Sequence, residues 1–338
     1  MKRPSKRPSW PTLLLALGAA LLLLVGVLYV APSDDYILLP DDARALKPLV
    51  VVKGERADRD GGGVYYVAVD VRQASLLEQL FPGLQDGATL VPEHVLNPQG
   101  VDEKVRRQAE LRAMRRSQRY ASAVALKALG LPVRIEPVGA GVAKTVPGYP
   151  AAGKLRARDL IVAVDGEAVT LPDDLTRILS EHRPGETVAL RLRRRGRERE
   201  LMIRTVPNPE NPRRPFLGIE LQEPKITLPL PVKFDLGQVG GPSAGLAFAL
   251  DLLEELGRDV DHGQRVAATG EIGLDGSVRE VGGVKQKTIG ARRSDMDVFL
   301  VPGENAAEAR RYANGLRVVP VDSFQQALQA LATKAETS

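Results

Sequence analysis

The chain of 338 residues contains no cysteine and only three histidines, His94, His182 and His262. Without cysteine there are no disulfides, no cysteine-ligated zinc, no iron–sulfur cluster and no thiol nucleophile. Three scattered histidines leave a multi-histidine metal site or a Ser-His-Asp triad little to work with, so any hydrolytic chemistry needs another base. Aromatic residues are 4% of the chain, and charge is nearly balanced at 47 Lys+Arg against 42 Asp+Glu, a formal +5. Four of those positive charges (Lys2, Arg3, Lys6, Arg7) precede the first hydrophobic run, so overall charge makes no case for a nucleic-acid partner. What is present is ordinary for a folded protein. At 43% hydrophobic and 26% charged residues the chain is neither wholly disordered nor collagen-like. At roughly 150 residues per domain its length suggests two or three domains.

Residues 12–30, TLLLALGAALLLLVGVLYV, carry no charge and are long enough to span a bilayer as a helix. The competing reading is a cleaved signal peptide. A signal's apolar stretch is shorter, roughly 7–15 residues, and ends in small residues, whereas a cut after Ala31 would leave the bulky Tyr29 beside the site. An uncleaved anchor is expected. The basic tail over 1–11 before it, and Asp34 and Asp35 after it, set the N-terminus in the cytoplasm and the rest of the chain outside it. Trp10 and Tyr29 fall near the two interfaces.

Over 36–130 the pattern changes period. The apolar runs LVVVKG (49–54) and VYYVAVDV (64–71), separated by Gly61-Gly62-Gly63, read as a hairpin or meander. After Asn97-Pro98, residues 102–129 hold no Gly or Pro, and a rough stripe of Val105, Leu111, Met114, Ala121, Val124 and Leu126 predicts a helix closed by Gly130. Its arginines (106, 107, 112, 115, 116 and 119) read as a solvated face, with contact to anionic lipid as the alternative.

Residues 132–206 form another unit. Its order is a strand, the turn and short helix GYPAAGKL, the strand Leu160–Val164, an Asp165-Gly166 turn, a helix opening at Pro172-Asp173, and two strands (187–192 and 200–205) joined across Arg195-Gly196. That order resembles a bacterial PDZ domain, which implies that an extended peptide adds to a sheet edge. The edge expected is GAGVAKTV. The run RLRRRGRER reads as charge at a hairpin turn, since it lacks the interleaved aromatics of a nucleic-acid surface. PNPENPRRP, with four prolines over 207–215, predicts a stiff extended linker.

The chemistry concentrates beyond it. GGPSAG (240–245) runs into LAFALDLLEEL, an apolar-periodic helix. A Ser at a glycine-rich helix start has close backbone access for a substrate and unpaired N–H donors where an oxyanion would form. A plain Ser helix cap is the alternative. Downstream, RVAATGEIGLDGSVREVGGVKQKTIGARR (265–293) reads as a strand, TGE, a DG hairpin, a second strand and a helix opened by GGVKQK. A hydrolase with no usable histidine can activate Ser with a Lys whose pKa burial has lowered. Lys285 and Lys287 compete for that role, and two positions apart on a helix they point to nearly opposite faces, one toward the Ser and one toward solvent. His262 reads as a surface residue, Asp173-Asp174 as helix N-terminal charge, and Glu254-Glu255 as no glycosidase pair.

GGPSAG, followed by ATGEIGLDGSVREVGG and VKQK, closely resembles the proteolytic domain of the Lon protease family, over residues 216–333. The resemblance implies a Ser-Lys dyad peptidase, with Ser243 as nucleophile, Lys287 as base, Thr269 of TGE in support, and Gly241 and Ala244 supporting beside the Ser. Members carrying an ATPase usually have an acidic residue where this chain has Gly240. No GxxxxGK[ST] occurs, GAGVAKT lacking its spacing, so no ATP-driven unfoldase is expected. The expected chain is therefore multidomain: a transmembrane helix, a mixed α+β region, a PDZ domain (a small β-barrel or sandwich with two helices) and an α/β Lon-type proteolytic domain. Its expected function is an ATP-independent, membrane-anchored serine endopeptidase. It would need no cofactor or metal. Its partners would be protein or peptide substrates and the cytoplasmic membrane, not nucleic acid, with assembly into a homo-oligomer left open. The alternative is a PDZ scaffold with an inactive Lon-like domain. Retention of Ser243, Thr269 and Lys287 together speaks against it.

Overall fold

The computed structural model describes residues 10–47, 50–52, 62–97, 101–209, 211–237 and 239–335. Lys2, Arg3, Lys6, Arg7, Gly61 and Pro98 lie outside them. The charge-free apolar run folds as helix α1 (Trp10–Val30), with Leu15, Leu22 and Tyr29 exposed. Among the described residues no helix is long and apolar enough to cross a membrane. The transmembrane helix expected over 12–30 is therefore not borne out, although a helix stands at that place.

Beyond α1 the chain forms β1 (Pro32–Pro40), β2 (Arg44–Ala45), β3 (Val50–Val52), β4 (Gly63–Tyr66) and β5 (Val69–Ser75). The short helix α2 (Leu76–Leu80), β6 (Thr89–Pro92), the single turn α3 (Glu93–Leu96) and the long α4 (Glu103–Ala128) follow. Among the described residues the hairpin or meander expected between 49–54 and 64–71 does not form. β1 sits between β5 and β6, while β3 pairs with β17 (Val232–Phe234) and β4 runs parallel to β18 (Arg265–Ala268). Helix α4 starts where Asp102 accepts from the Lys104 amide at 2.8 Å. It ends where the Gly130 and Leu131 amides fold back to the carbonyls of Lys127 and Leu126, Gly130 taking the left-handed φ of 74° that this closure needs.

The PDZ unit follows: β7 (Arg134–Glu136), β8 (Ala140–Thr145), β9 (Leu160–Val164), β10 (Glu167–Ala168), α5 (Pro172–Ser180), β11 (Thr187–Arg194), β12 (Arg197–Arg204), β13 (Val206–Pro207), β14 (Pro215–Phe216) and β15 (Ile219–Leu221). Its main sheet runs β12-β11-β9-β8-β15 around a core that includes Ile161, Leu175, Leu190 and Ile203. Asp165-Gly166 and Arg195-Gly196 make the expected tight turns, all four at positive φ. Three expectations change. GYPAAGKL forms turns and no helix, so among the described residues the unit has one helix, α5, where two were expected. The proline-rich stretch is no extended linker, because β13 and β14 pair and the Asn208 amide reaches back to Arg214 O at 2.9 Å. The strand GAGVAKTV is no open edge, because β8 is bonded to β9 on one side and β15 on the other. The sheet thus runs on to Leu221, past the expected boundary at 206, and its terminal strand is β15.

β16 (Lys225–Thr227) then pairs back onto β7, closing the root of the PDZ unit. After β17 come α6 (Gly245–Glu255), β18, β19 (Glu271–Ile272), β20 (Val278–Arg279), α7 (Val284–Arg293), β21 (Val298–Pro302), α8 (Ala306–Tyr312), β22 (Arg317–Val321) and α9 (Phe324–Ala335). The sheet order is β2-β4-β18-β21-β22, with β4, β18, β21 and β22 parallel. Parallel strands covered on both faces read as unbroken apolar runs, as Val298-Phe299-Leu300-Val301 does. Helix α6 is apolar nearly all round and buried from Gly245 to Leu253, so it lies inside the core, packed on α4 through Met114, Ala121 and Leu126. Residues 36–130 are therefore not a separate unit. They supply β2, β4 and α4 to the sheet and core of the C-terminal part, and the PDZ unit is an insertion within that one fold.

Candidate active site

The parallel strand β18 ends at Ala268, and Thr269-Gly270 turn off its C-terminal end into β19. Catalytic groups of open α/β sheets gather at such ends. Ser243 lies on the loop before α6, with Ala244 as the residue opening the helix. Lys287 lies in the first turns of α7, whose start is set by Gly283 at φ 69°. The Ser243 loop and α7 border a cleft of about 1160 Å³ lined by Ser243, Gly241, Lys287, Tyr66, Arg106 and Arg107, among others.

Lys287 is 3% exposed. Burial alone pushes its ammonium down from its ordinary range to about 7. Its Nζ donates to Thr269 Oγ1 at 3.2 Å, and Thr269 Oγ1 donates to the Ser243 carbonyl at 3.1 Å. The same carbonyl accepts from the Gly270 amide at 2.8 Å, and Leu246 N donates to Gly270 O at 3.1 Å. The TGE turn is thus stitched to the nucleophile loop on both sides. Thr269 is the bridge, since among the described residues Ser243 and Lys287 share no direct hydrogen bond. The residues GGPSAG, TGE and VKQK, scattered along the sequence, are brought together, Ser243, Thr269 and Lys287 with them.

Gly241 and Ala244 support the site differently. The Gly241 amide donates to Glu110 O at 3.1 Å, so it is engaged in holding the loop. Among the described residues the amides of Ser243 and Ala244 have no acceptor, which leaves two N–H groups at the head of α6 beside the Ser. Lys285 does not face solvent as expected. Its Nζ donates to Ala88 O at 2.9 Å and Thr89 Oγ1 at 3.1 Å, and it stands 5.6 Å from the Tyr312 ring centre, tying α7 to β6.

Helix α4 contributes what sequence reading left out. Ser117 Oγ donates to Pro242 O at 2.9 Å, and Glu110 supplies the carbonyl that anchors Gly241. The signal was a Ser on the buried stripe of a helix, four residues before Ala121. Glu110 also accounts for Gly240: a Cβ there would lie 3.0 Å from Glu110 Cβ and 3.3 Å from its carboxylate, so α4 already brings an acidic group to that spot. His262 takes a turn at φ 50°, and Asp174 accepts from the Thr170 and Leu171 amides, a cap as expected.

Residues 237–334 match the Lon protease (S16) C-terminal proteolytic domain, and residues 103–205 match a PDZ domain. The second match takes in α4, which by its packing belongs to the proteolytic core. A chloroplastic/mitochondrial Lon protease homolog of Arabidopsis thaliana is 40% identical over 90 residues, 25% of this chain and 9% of that protein. Lon protease 2 of Bacillus subtilis is 32% identical over 93 residues, 28% and 17% respectively. The PDZ domain of an SdrC-like protein from Listeria innocua is 24% identical over 25% of this chain and 94% of its own, with a TM-score of 0.24. The chain spans less than a fifth of the length of these Lon proteases.

Proposed function

We propose that this chain, which carries a Lon-type proteolytic domain and a PDZ domain, is a serine endopeptidase that works without an ATPase. One observation carries the reading: Lys287 is an enclosed amine held near neutrality and tied through Thr269 to the nucleophile loop. An enclosed lysine costs stability, and a scaffold has no use for one. Neutral Lys287 Nζ takes the Ser243 proton as Oγ attacks the scissile carbonyl. The amides of Ser243 and Ala244 donate to the oxyanion. The proton then passes to the leaving amine, and water activated by the same lysine clears the acyl-enzyme.

The PDZ unit docks an extended segment of the substrate by strand addition at the outer edge of β15, the terminal strand of its sheet. The charge-free apolar sequence over 12–30 is what supports a membrane anchor. The basic residues before it favour a cytoplasmic N-terminus, with the proteolytic domain on the outer face.

A fluorophosphonate probe should label the wild-type protein and not Ser243→Ala, which should keep its fold and lose peptide hydrolysis. Retained hydrolysis by the Ala variant would remove Ser243 as nucleophile. In intact protoplasts, added protease should digest residues 36–338; their protection would overturn the orientation.

A further inference from the structure

The sequence Pro172-Asp173-Asp174 opens α5 with two adjacent carboxylates, and the fold uses them differently. Asp174 Oδ2 accepts from the amides of Thr170 and Leu171 and from Thr170 Oγ1, so it caps its own helix. Asp173 is left over, and it leaves the PDZ unit altogether. It is 7% exposed, and it accepts from the Leu274 amide at 2.8 Å and from the Arg279 guanidinium. Leu274 and Arg279 belong to the hairpin β19–β20 of the proteolytic domain, in which Glu271 stands opposite Arg279. Arg279 also lies 3.8 Å from Glu271, and Glu271 lies 3.5 Å from Arg116 on α4.

The hairpin is the direct continuation of Thr269-Gly270. Its tip is closed by its own bonds, Gly273 N to Ser277 O at 2.9 Å and Ser277 N to Asp275 Oδ1 at 2.9 Å, so it moves as a body. Three moorings hold that body: Arg116 of α4 on Glu271, the C-terminal segment through Val278 N to Asp322 O and Phe324 N to Gly276 O, and Asp173. The root of the hairpin carries Thr269, whose hydroxyl meets both Lys287 Nζ and Ser243 O, and Gly270, whose amide meets Ser243 O.

We infer that Asp173 is a positioning residue for the peptidase site, supplied by the PDZ unit: it fixes the β19–β20 hairpin so that Thr269 holds Lys287 and the Ser243 loop in register. A carboxylate with two donors, one of them cationic, is a strong and directional tether. An Asn in its place keeps the shape but loses the charge and one acceptor, which loosens one of the three moorings. Catalytic geometry is sensitive to displacements well under the size of a side chain. The inference rests on the peptidase reading for its kinetic arm and stands apart from it for its structural arm.

The test compares full-length wild type with Asp173→Asn and Asp173→Glu, using a short unstructured fluorogenic peptide and amide hydrogen exchange read by mass spectrometry. Asp173→Asn should lower kcat about tenfold, equivalent to ~1.4 kcal/mol of transition-state stabilisation, with KM within twofold. Exchange should quicken in residues 243–246 and 269–280 and nowhere else in the proteolytic core. Asp173→Glu should recover most of both. A tether that only sets where the PDZ unit sits would leave kcat and those amides at wild-type values, and that outcome overturns the inference. If the wild type cleaves nothing, the peptidase reading fails, and the exchange pattern alone decides the positioning role. If Asp173→Asn does not fold, Arg279→Lys, which keeps the charge and loses the planar fork, is judged by the same two readouts.

Discussion

Lys287 has to lose a proton before it can take one, and its surroundings arrange that. A lysine in water titrates near ~10.4 and is an ammonium at neutral pH. Enclosure between α7 and the TGE turn withdraws water from the charge and brings the value down to about 7. The sign follows: below that value the amine is protonated and idle, above it neutral and competent. Peptide hydrolysis should therefore rise with pH through one ionisation near 7, measured as kcat/KM between pH 5 and 9. A rise still incomplete at pH 9 would take the enclosed amine out of the mechanism. Lys287→Arg should be inactive across the range, because a guanidinium stays charged above pH ~12 and cannot act as base. Lys285 carries the same side chain two positions away and has a different task, bonded to Ala88 and Thr89 of the neighbouring sheet.

The elements that aim these groups are two helices packed without room to spare. Helix α6 brings Ser243 to the cleft, and α4 brings the partners that hold the loop, Ser117 on Pro242 and Glu110 on Gly241. Gly245 leaves no room for a side chain, since a Cβ there would lie 2.7 Å from Ser117 Oγ of α4 and, in β19, 2.9 Å from Ile272 Cγ2 and 3.0 Å from the Ile272 amide. One of those contacts is backbone, so the helix itself must shift. Gly245→Ala should cost about 1–3 kcal/mol by overpacking. It should also slow fluorophosphonate labelling of Ser243, because the displaced element is the one that carries the nucleophile. Urea denaturation with labelling kinetics on the same sample checks both. A stable variant labelled at the wild-type rate would show that the loop is set independently of the α4–α6 contact.

On the scale of the whole molecule, the proteolytic fold is discontinuous in sequence. The chain leaves it after β7 and re-enters by β16, and those two strands lie side by side with Ile135 opposite Ile226. A domain whose entrance and exit are neighbours can be excised with little disturbance to its host. Removal of 138–222 with a short Gly-Ser joint should leave a cooperatively melting protein whose Ser243 still reacts, more slowly for want of the Asp173 mooring. Removal of 36–130 should prevent folding outright, because it deletes β2, β4 and α4 from the sheet and core. Circular-dichroism melts of the two truncations distinguish them, and a folded product from the second would contradict the shared core.

Local chemistry made much of this protein legible in sequence. A Ser at a glycine-rich helix start, TGE beyond a strand, paired lysines at a second helix start, positive-φ Asp-Gly and Arg-Gly turns, and the capped, glycine-closed helix over 102–129 are each decided within a few residues. The chain therefore states them wherever it goes. What it could not state is pairing. β4 lies against β18 across some two hundred residues, β15 completes a sheet begun at β8, and the proline-rich segment folds back, because strand partners are chosen by surfaces that meet only once the core has formed. The same holds for charge. Nothing local separates Asp173 from Asp174 or Lys285 from Lys287; in each pair the neighbours share a side chain and a helix, and only the packing of distant elements decides which one caps or anchors its own surroundings and which one is enclosed beside the nucleophile or moors the hairpin that serves it.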